Sequence, residues 1–570
     1  MLGPLATLAL PAHPKHYQAL LSFTSPKARA SASSFSFSSS SSCRCFPGDT
    51  CWPSPEEWTA LNVSLSGNLL AIDPIGSVCH TNTASHDNEK CATLQKQWSK
   101  PATHYDTPSS PMAPWWSNAS CSPFSAPDSP CTVGPLVRYA VNVTSAADVQ
   151  HVLRFVQSKN IRLVIRNTGH DYMGKSTGAG ALALWTHHLK SIETFPNYTS
   201  GSYTGPAMRI GAGVQGFEAQ NAAHEAGYVM VTGHCPDVGI AGGYTQGGGH
   251  GPLASRYGLA ADQVLEWEVI TADGQLRTAS PSQNEDLYWA LSGGGGGTFA
   301  VVLGMTVRVY PEEPSASAML SFTSVPTSET TSEAEAEARF WSVVRTFLLD
   351  TLPLLDTGGT ALWMALPGAF TGGPLMFAAG PISFPGATKA ELEAHLASIL
   401  QKLQDYGTGY ESAVTGFPNY HASVADTAVD VAILNQNAVV SGYNMNVSRQ
   451  KSVHPNSANP AWRNAAVSVV LGIPFSYTDT QQNLAGQKLM TEVLVPELEA
   501  LGLPGELTGA YLNEADFNTP HWQEAFYGAP YARLGAVKDK YDPDQIFYGR
   551  TAVGSERWVE QADGRLCRAA

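Results

Sequence analysis

Two glycine-dense loops constrain this chain more than any other feature of its sequence. The first loop, GIAGGYTQGGGHG, covers residues 239–251, and the second, SGGGGG, covers residues 292–297. Both lie in a region, residues 181–310, where short β-rich runs such as ALALW, QVLEWEVITADG and TFAVVLGMTVRVY alternate with glycine turns. Glycine permits tight turns and a close approach of the backbone to another group. The pattern therefore predicts short strands joined by glycine-rich turns.

The organisation of the chain is read from shifts in composition along its 570 residues, a length that favours two domains or one elaborated domain. Residues 1–42 are predicted to be a leader, either a short signal peptide without a basic residue at its start or a Ser-rich transit peptide. Residues 43–312 predict a first domain, 313–505 a second α+β domain packed on it, and 506–570 a C-terminal segment rich in turns and aromatic residues.

Capping boxes mark two of the predicted helices. Ser145-x-x-Asp148 precedes apolar residues at helical spacing, namely Val149, Val152, Leu153 and Val156. Thr388-x-x-Glu391 opens a helix over 388–406 with Gly407 as its C-cap; its apolar stripe is Leu392, Leu396, Ile399, Leu400 and Leu403. Further helices are predicted near 332–350 and 481–501, and a buried strand over 161–166.

Cysteine usage indicates an oxidising compartment. Seven of the nine cysteines fall in the first 131 residues at short spacings, which predicts a local disulfide framework. An odd count leaves at least one thiol outside intramolecular bridges, and Cys235, alone in mid-chain, is the candidate. Glycosylation sequons agree with secretion; they are Asn62, Asn118, Asn142, Asn197 and Asn446. The predicted location is extracellular.

Charge and hydropathy exclude several classes of partner. The net charge is −15 and the isoelectric point is near 5.5, which argues against nucleic-acid and anionic-membrane partners. No run of 18 or more apolar residues appears, so no segment is predicted to span a bilayer. No metal-ligand spacing is present around the glycine loops, and no metal is predicted. We expect a monomer.

The motif RNTGHD, residues 166–171, follows the predicted strand. Its glycine lets backbone N–H groups cradle an anion, and His170 lies directly in the turn. A loop histidine more often only caps hydrogen bonds, but a neutral imidazole is also a competent nucleophile near neutral pH. The segment GAGVQG (211–216) also matches a dinucleotide fingerprint; the next strand, YVMVTGH, lacks the acid that holds a ribose, so we disfavour a nicotinamide cofactor.

Cys235 opens the long glycine loop beside His234. A lone cysteine is more often a small buried hydrophobic residue. Here the neighbouring donors, His234 among them, predict a stabilised thiolate that can add to an electrophilic ring carbon.

The motifs at 166–171 and 232–251, in this order, resemble the vanillyl-alcohol oxidase superfamily with its p-cresol-methylhydroxylase-type FAD domain, and within it the fungal berberine-bridge-enzyme-like branch. The resemblance extends over about residues 43–560. It includes DVQHVLRFVQSKNIRLVIRNTGHDYMGKSTG, LWTHHLKSI, WALSGGGGGTFAVVLGMTV and YDPDQIFYGRTAVGSERW. It implies an α+β fold in which the FAD-binding domain spans 43–312, a substrate (cap) domain spans 313–505, and the C-terminal segment returns to the FAD domain.

The resemblance also implies a set of cofactor contacts. His170 would bond to the flavin 8α-carbon and Cys235 to its C6, so FAD would be held bicovalently. The loop after Cys235 is one residue longer than in the plant-like branch, which makes the cysteinyl bond less secure. Val238 is small and β-branched, and in this it is similar to the residue at the corresponding place in oxygen-reactive members of the family. The implied cofactor-binding residues are Arg166, Asn167, Thr168, Gly169, His170, Asp171, Cys235, Val238, Gly239, Gly242, Gly243, Gln246, Gly247, Gly248, His250 and Asn513.

The sequence leaves the catalytic base and the substrate open. Candidates for the proton-handling residues are Tyr443, Tyr511, Asn513, Glu514 and Asp516. Trp115, Trp116 and His250 are candidates for the cleft wall. The leading interpretation is a secreted oxidase that transfers hydride from an alcohol or carbohydrate-like substrate to FAD and reduces O2 to H2O2. The alternatives are an oxidative cyclase or dehydrogenase acting on a secondary metabolite, and a non-catalytic secreted glycoprotein.

Overall fold

The computed structural model describes residues 2–11, 43–201, 203–326, 328, 331–368, 372–424, 440–449, 454–500 and 509–569. Within these ranges the chain folds into two layers built on separate sheets. The strands are β1 Leu2–Pro11, β2 Leu69–Ala71, β3 Tyr139–Asn142, β4 Leu163–Arg166, β5 Leu182–Trp185, β6 Ile192–Ser200, β7 Tyr203–Gly211, β8 Tyr228–Val229, β9 Val264–Ile270, β10 Leu276–Ala279, β11 Val301–Arg308, β12 Tyr310–Pro311, β13 Ser315–Thr323, β14 Thr360–Leu366, β15 Met376–Pro385, β16 Tyr410–Phe417, β17 Val440–Asn444, β18 Ala465–Pro474, β19 Trp558–Glu560 and β20 Leu566–Arg568.

Helices connect and cover these strands. The α-helices are α1 Pro55–Ser64, α2 Asn88–Gln97, α3 Ala102–Tyr105, α4 Ala146–Lys159, α5 Gly216–Glu225, α6 Ala254–Tyr257, α7 Glu285–Leu291, α8 Glu333–Asp350, α9 Leu352–Asp356, α10 Lys389–Asp405, α11 Thr480–Leu489, α12 Val495–Glu499, α13 Trp522–Tyr527 and α14 Tyr531–Tyr541. Shorter 3₁₀ or π turns lie at Ile75–Cys79, Pro114–Ser117, Ile240–Tyr244, Ala260–Gln263, Pro460–Arg463, Met490–Leu494 and Ser555–Arg557.

Two sheets form the first layer. A four-stranded sheet has the order β2-β3-β5-β4, with β3, β5 and β4 parallel, and a five-stranded antiparallel sheet has the order β10-β9-β11-β7-β6. Helix α4 begins at the predicted capping box, because Ser145 accepts from the N–H of Asp148 while that carboxylate accepts from the N–H of Ser145. All four predicted apolar residues of α4 are buried, so the helix covers the parallel sheet.

The second layer is a seven-stranded antiparallel sheet with the order β1-β18-β17-β14-β15-β13-β16. Helices α8 and α10 pack on it through one apolar core. The predicted capping box at Thr388 and Glu391 starts α10, and Gly407, with φ of 64°, follows its end. Leu400 is half-buried whereas the other predicted stripe residues of α10 are buried. The helix predicted near 481–501 is divided into α11, a π turn and α12, and residue 501 lies outside the described residues.

The C-terminal segment returns to the first layer. Phe526, Tyr527 and Leu534 share a core cluster with Trp267 of β9 and Met208 of β7. Helix α14 also contacts α7, the helix that precedes the SGGGGG loop. This contact places the end of the chain beside a glycine loop encoded more than two hundred residues earlier. The predicted domain limits themselves stay predictions.

One expectation about the N-terminal part needs correction, and the leader over residues 1–42 stays a prediction. Leu2–Pro11 pairs with β18 as an edge strand of the large sheet, and residues 12–42 lie outside the described residues. The disulfide framework, predicted to be local, is not wholly local. Cys45–Cys51, Cys79–Cys91 and Cys121–Cys131 are local, but Cys43 pairs with Cys567. Connectivity of this kind does not follow from spacing alone.

The GAGVQG segment has a structural role. It leads from β7, a strand of an antiparallel sheet, into α5, so it does not form the parallel βαβ unit that binds dinucleotides. A Cβ at Gly213 would lie 2.0 Å from the carbonyl oxygen of His187, so the close approach of two backbone segments requires glycine there. Among the described helices, none has both the length and the apolar character needed to cross a membrane.

Candidate functional site

A cleft lies in the first layer; its volume is about 1360 Å³ when the open solvent at its mouth is included. Its walls come from the turn after β4, both glycine loops, the segment 511–514 and the strip before Arg550. Most residues that the sequence analysis selected line it: Asn167, Thr168, Gly169, His170, Asp171, Cys235, Val238, Gly239, Gly242, Gly243, Gln246, Tyr511, Asn513 and Glu514. Segments distant in the chain therefore converge on one ligand-sized cleft.

His170 faces the cleft with an unused ring nitrogen. Its Nε2 is buried and has no hydrogen-bond partner among the described residues. Burial lowers the pKa of this imidazole to about 4, so the ring is neutral near pH 7. A neutral ring with an available nitrogen is the form in which histidine acts as a nucleophile.

Cys235 is the free cysteine of the described residues, and it lines the same cleft. Burial raises the pKa of its thiol to about 12, with the carboxylates of Asp237 and Glu514 adding to the effect. The expectation that His234 favours a thiolate is wrong, because burial also lowers the pKa of His234 to about 3 and leaves that ring uncharged. The protein around Cys235 therefore holds the thiol form.

Glycines are required where Asn167 meets the long loop. The Asn167 side chain donates to the carbonyl of Ala212, and its Oδ1 is buried without a partner in the described ranges. A Cβ at Gly239 would lie 2.4 Å from that oxygen, and one at Gly242 would lie 3.1 Å from Nδ2. Larger residues would push the loop off Asn167 and change the shape of the cleft.

The two glycine loops lie back to back. The N–H groups of Gly293 and Gly295 both donate to the carbonyl of Gln246, at 3.0 and 2.8 Å. Asn513 fixes the long loop from the other side, because its Nδ2 donates to the carbonyl of Gly243 at 2.8 Å. Gly247 and Gly248 belong to this backing and do not line the cleft. Their contribution is to the course of the loop.

Arg166 does not line the cleft, contrary to the sequence expectation. Its guanidinium is buried and donates to the carbonyls of His104 and Ser110, at 3.0 and 2.7 Å. Gly169, with φ of 79°, packs directly on it, since a Cβ there would lie 2.5 Å from Nη2. Arg166 thus supports the turn from behind, which no motif spacing could distinguish from a direct contact.

Three of the five candidate proton-handling residues lie in one segment of the cleft wall. Tyr511, Asn513 and Glu514 line it, and the Tyr511 hydroxyl accepts from Asn513 Nδ2 at 2.8 Å. Burial raises the pKa of Tyr511 well above its usual value. His250 and Tyr443 do not line the cleft but stand behind it, with His250 Nε2 3.6 Å from Glu514 Oε2 and the two rings 5.2 Å apart.

Asp516 lies apart from this group. Its carboxylate accepts from Thr491 Oγ1 at 2.6 Å and from Gln487 Nε2 at 3.1 Å, and it does not line the cleft. Trp115 and Trp116 are also outside the lining and pack with Phe517 instead. The sequence placed all of these near the site because each lies within a few residues of a lining segment or in a loop.

Comparisons with known proteins identify the family of this chain. A domain family described as "FAD binding domain" matches residues 137–280, and one described as "Berberine and berberine like" matches residues 510–554. The chain is 44% identical to FAD-linked oxidoreductase sor8 of Hypocrea jecorina, over 96% of this chain and 97% of that one. It is 39% identical to VAO-type flavoprotein oxidase VAO615 of Thermothelomyces thermophilus, over 97% and 100%.

The chain belongs to the VAO-type, berberine-like family of FAD-linked oxidoreductases. The crystal structure of VAO-type flavoprotein MtVAO615 from Myceliophthora thermophila has a TM-score of 0.83 at 39% identity and covers 93% of this chain and 100% of its own. The glucooligosaccharide oxidase of Acremonium strictum, described with a 6-S-cysteinyl, 8α-N1-histidyl FAD, shares the fold with a TM-score of 0.56 at 17% identity, over 74% and 92%. The VAO-type fold and an FAD-dependent oxidoreductase activity are thereby confirmed.

The cleft of this VAO-type protein fits FAD. Five buried polar atoms of lining residues have no partner in the part of the chain that the structure describes: Asn167 Oδ1, His170 Nε2, Lys175 Nζ, Tyr244 Oη and Gln246 Oε1. Buried polar atoms are normally satisfied, so a set of them around one cleft indicates a polar ligand. Lys175 was missed by the sequence analysis although it belongs to the quoted GHDYMGKSTG run, and Tyr548 was missed within DQIFYG.

Proposed function

We propose that this chain is a secreted FAD-dependent oxidase that holds its flavin through His170 and Cys235 and oxidises an alcohol or carbohydrate-like substrate. One observation carries the proposal: an imidazole with an unused nitrogen and a free thiol, from separate segments, line one cleft. The doubly attached flavin of the Acremonium strictum oxidase, which shares the fold, supports this interpretation. The four disulfides and the sequons support secretion.

When bound, FAD supplies the hydride acceptor and the route by which electrons reach dioxygen. Each substrate carbinol becomes a carbonyl by losing two electrons and two protons, which dioxygen takes up as hydrogen peroxide. The chain itself orients the substrate and takes the hydroxyl proton. Among the five predicted residues, Glu514 offers the ionisable carboxylate in the cleft lining, and we propose it as the proton acceptor, with His250 behind it.

Changing Glu514 to glutamine is expected to lower kcat by about 10²- to 10⁴-fold, the usual contribution of a general base. The amide keeps the shape of the side chain but does not accept the proton. Steady-state peroxide release, measured beside the flavin absorbance of the same sample, checks this. Asp516→Asn is the matched control, because Asp516 lies outside the cleft lining and should retain activity within a fewfold. Equal losses in both variants would reject Glu514 as the acceptor.

A direct test of the proposed function starts with acid precipitation of the protein isolated from culture medium. A yellow pellet indicates covalent flavin, whereas a white pellet with a colourless protein would favour the binding-glycoprotein alternative. Peroxide release is then measured with panels of alcohols, oligosaccharides and phenolics. Turnover that needs a dye acceptor and gives no peroxide in air would favour the second candidate, a dehydrogenase or cyclase acting on a secondary metabolite.

A further inference from the structure

Lys175 is a buried cation in the wall of the cleft. Its Nζ is inaccessible to solvent, and it makes no hydrogen bond to any part of the chain within the described ranges. Its stem packs against the strip that leads out of Phe547, since a Cβ at Gly549 would lie 3.0 Å from Lys175 Cγ. A lysine whose charged end points outward into solvent would need no explanation, but this one ends inside.

The neighbouring carboxylate is already engaged. Asp171 accepts from the N–H of Met173 at 2.8 Å, from the N–H of Ser176 at 2.9 Å and from the hydroxyl of Ser176 at 3.2 Å. It orders the turn that carries Lys175, and its negative charge partly offsets the lowering of the Lys175 pKa. It does not accept a hydrogen bond from the ammonium. The cation therefore still needs an anion.

Burying an unsatisfied ammonium is unfavourable, and it lowers the pKa of Lys175 to about 8. An anion bound in the cleft would offset this cost by ion pairing and hydrogen bonding. Arg166, which the family resemblance implied as a cofactor contact, is directed away to the carbonyls of His104 and Ser110. Among the cations of the GHDYMGKSTG turn and the strand before it, Lys175 is the one that lines the cleft.

We propose that Lys175 pairs with the diphosphate of FAD and is the main charged anchor of the cofactor. The diphosphate is the anionic part of FAD, and phosphate oxygens are strong acceptors for an ammonium. The inference requires that the chain binds FAD, which its family establishes, and it does not depend on either covalent bond. Lys175 is thus a binding residue, and its effect should be on affinity for the phosphate-bearing ligand.

The test uses the full chain with His170→Ala and Cys235→Ala, so that any flavin is bound reversibly. The deflavinated protein is titrated with FAD and, separately, with riboflavin, which lacks phosphate, by following flavin fluorescence. Adding Lys175→Met is expected to weaken FAD binding by about 10- to 100-fold, the range of a charged hydrogen-bonded pair. Riboflavin binding should change less than twofold. Lys175→Arg should keep most of the difference in affinity between FAD and riboflavin.

Lys488→Met serves as the control, because Lys488 is an exposed lysine on α11, 64% accessible, and should alter neither titration. If Lys175→Met weakens the binding of FAD and of riboflavin equally, Lys175 shapes the cleft and does not pair with phosphate. That result would overturn the proposal. Unchanged FAD affinity would also overturn it, and so would a shift in flavin reduction potential without a loss of affinity. If the methionine variant does not fold, Lys175→Gln against Lys175→Arg gives the same comparison.

Discussion

Replacing His170 and Cys235 together with alanine is expected to remove all covalently held flavin from this protein. Each residue supplies one nucleophilic atom to the cleft, so each single variant should retain the bond made by the other. The double variant should still bind FAD reversibly, because Asn167, Lys175 and the glycine loops are intact. Acid precipitation, flavin fluorescence on a denaturing gel and peptide mass measure the three states directly.

His187→Ala is the matched control for the histidine. Its ring also has a buried, unpartnered nitrogen, Nδ1, within the described residues, and burial lowers its pKa to about 4 as well, but it does not line the cleft. This variant should keep its full covalent flavin. If Cys235→Ala leaves the flavin spectrum and the mass of the histidyl peptide unchanged, the second bond is wrong. Covalent flavin in the double variant would contradict the whole assignment.

Lys538→Met is expected to lower the free energy of unfolding by about 3–5 kcal/mol, the usual cost of removing one partner from a buried ion pair. Lys538 Nζ donates to Asp542 Oδ2 at 2.6 Å and to the carbonyls of Thr298 and Phe547 at 2.7 and 2.6 Å. The substitution leaves the Asp542 carboxylate buried with only the N–H groups of Ile546 and Phe547 as donors. Equilibrium denaturation with urea measures the change.

Lys540→Met, two residues further along α14, is the control for this prediction. Lys540 pairs with Asp286 at the surface with 58% of its side chain accessible, and exposed pairs of this kind contribute at most about 1 kcal/mol. Adding Asp542→Asn to Lys538→Met should restore part of the loss, because the uncompensated charge is then removed. A loss at Lys538 no larger than that at Lys540 would refute the prediction.

Local signals in the sequence predicted much of this fold. The capping boxes at Ser145 and Thr388 set helix starts correctly because the hydrogen bonds that make them involve residues three positions apart. The turn at His170 and the loop at Cys235 were selected by their glycines, and both loops line the cleft. Properties encoded within a few residues were therefore accessible without coordinates.

Properties that depend on residues distant in the chain could not be predicted from the sequence. The direction of the Arg166 guanidinium is set by carbonyls at His104 and Ser110, about 60 residues earlier in the chain. The thiol pKa of Cys235 is raised mainly by burial, and then by the carboxylates of Asp237 and Glu514, so the adjacent His234 was a poor guide. The position of Lys175 inside the cleft depends on the Gly549 strip, which no local pattern connects to it.

The Cys43–Cys567 bridge turns the chain between these residues into a covalent ring. A single proteolytic nick anywhere on that ring leaves one molecule with unchanged mass on a non-reducing gel, and the two fragments separate only after reduction. In a protease-rich medium, a nicked enzyme would keep both of its halves at the same local concentration. A cut in one exposed loop would then leave the two fragments joined for as long as the Cys43–Cys567 bridge stays intact.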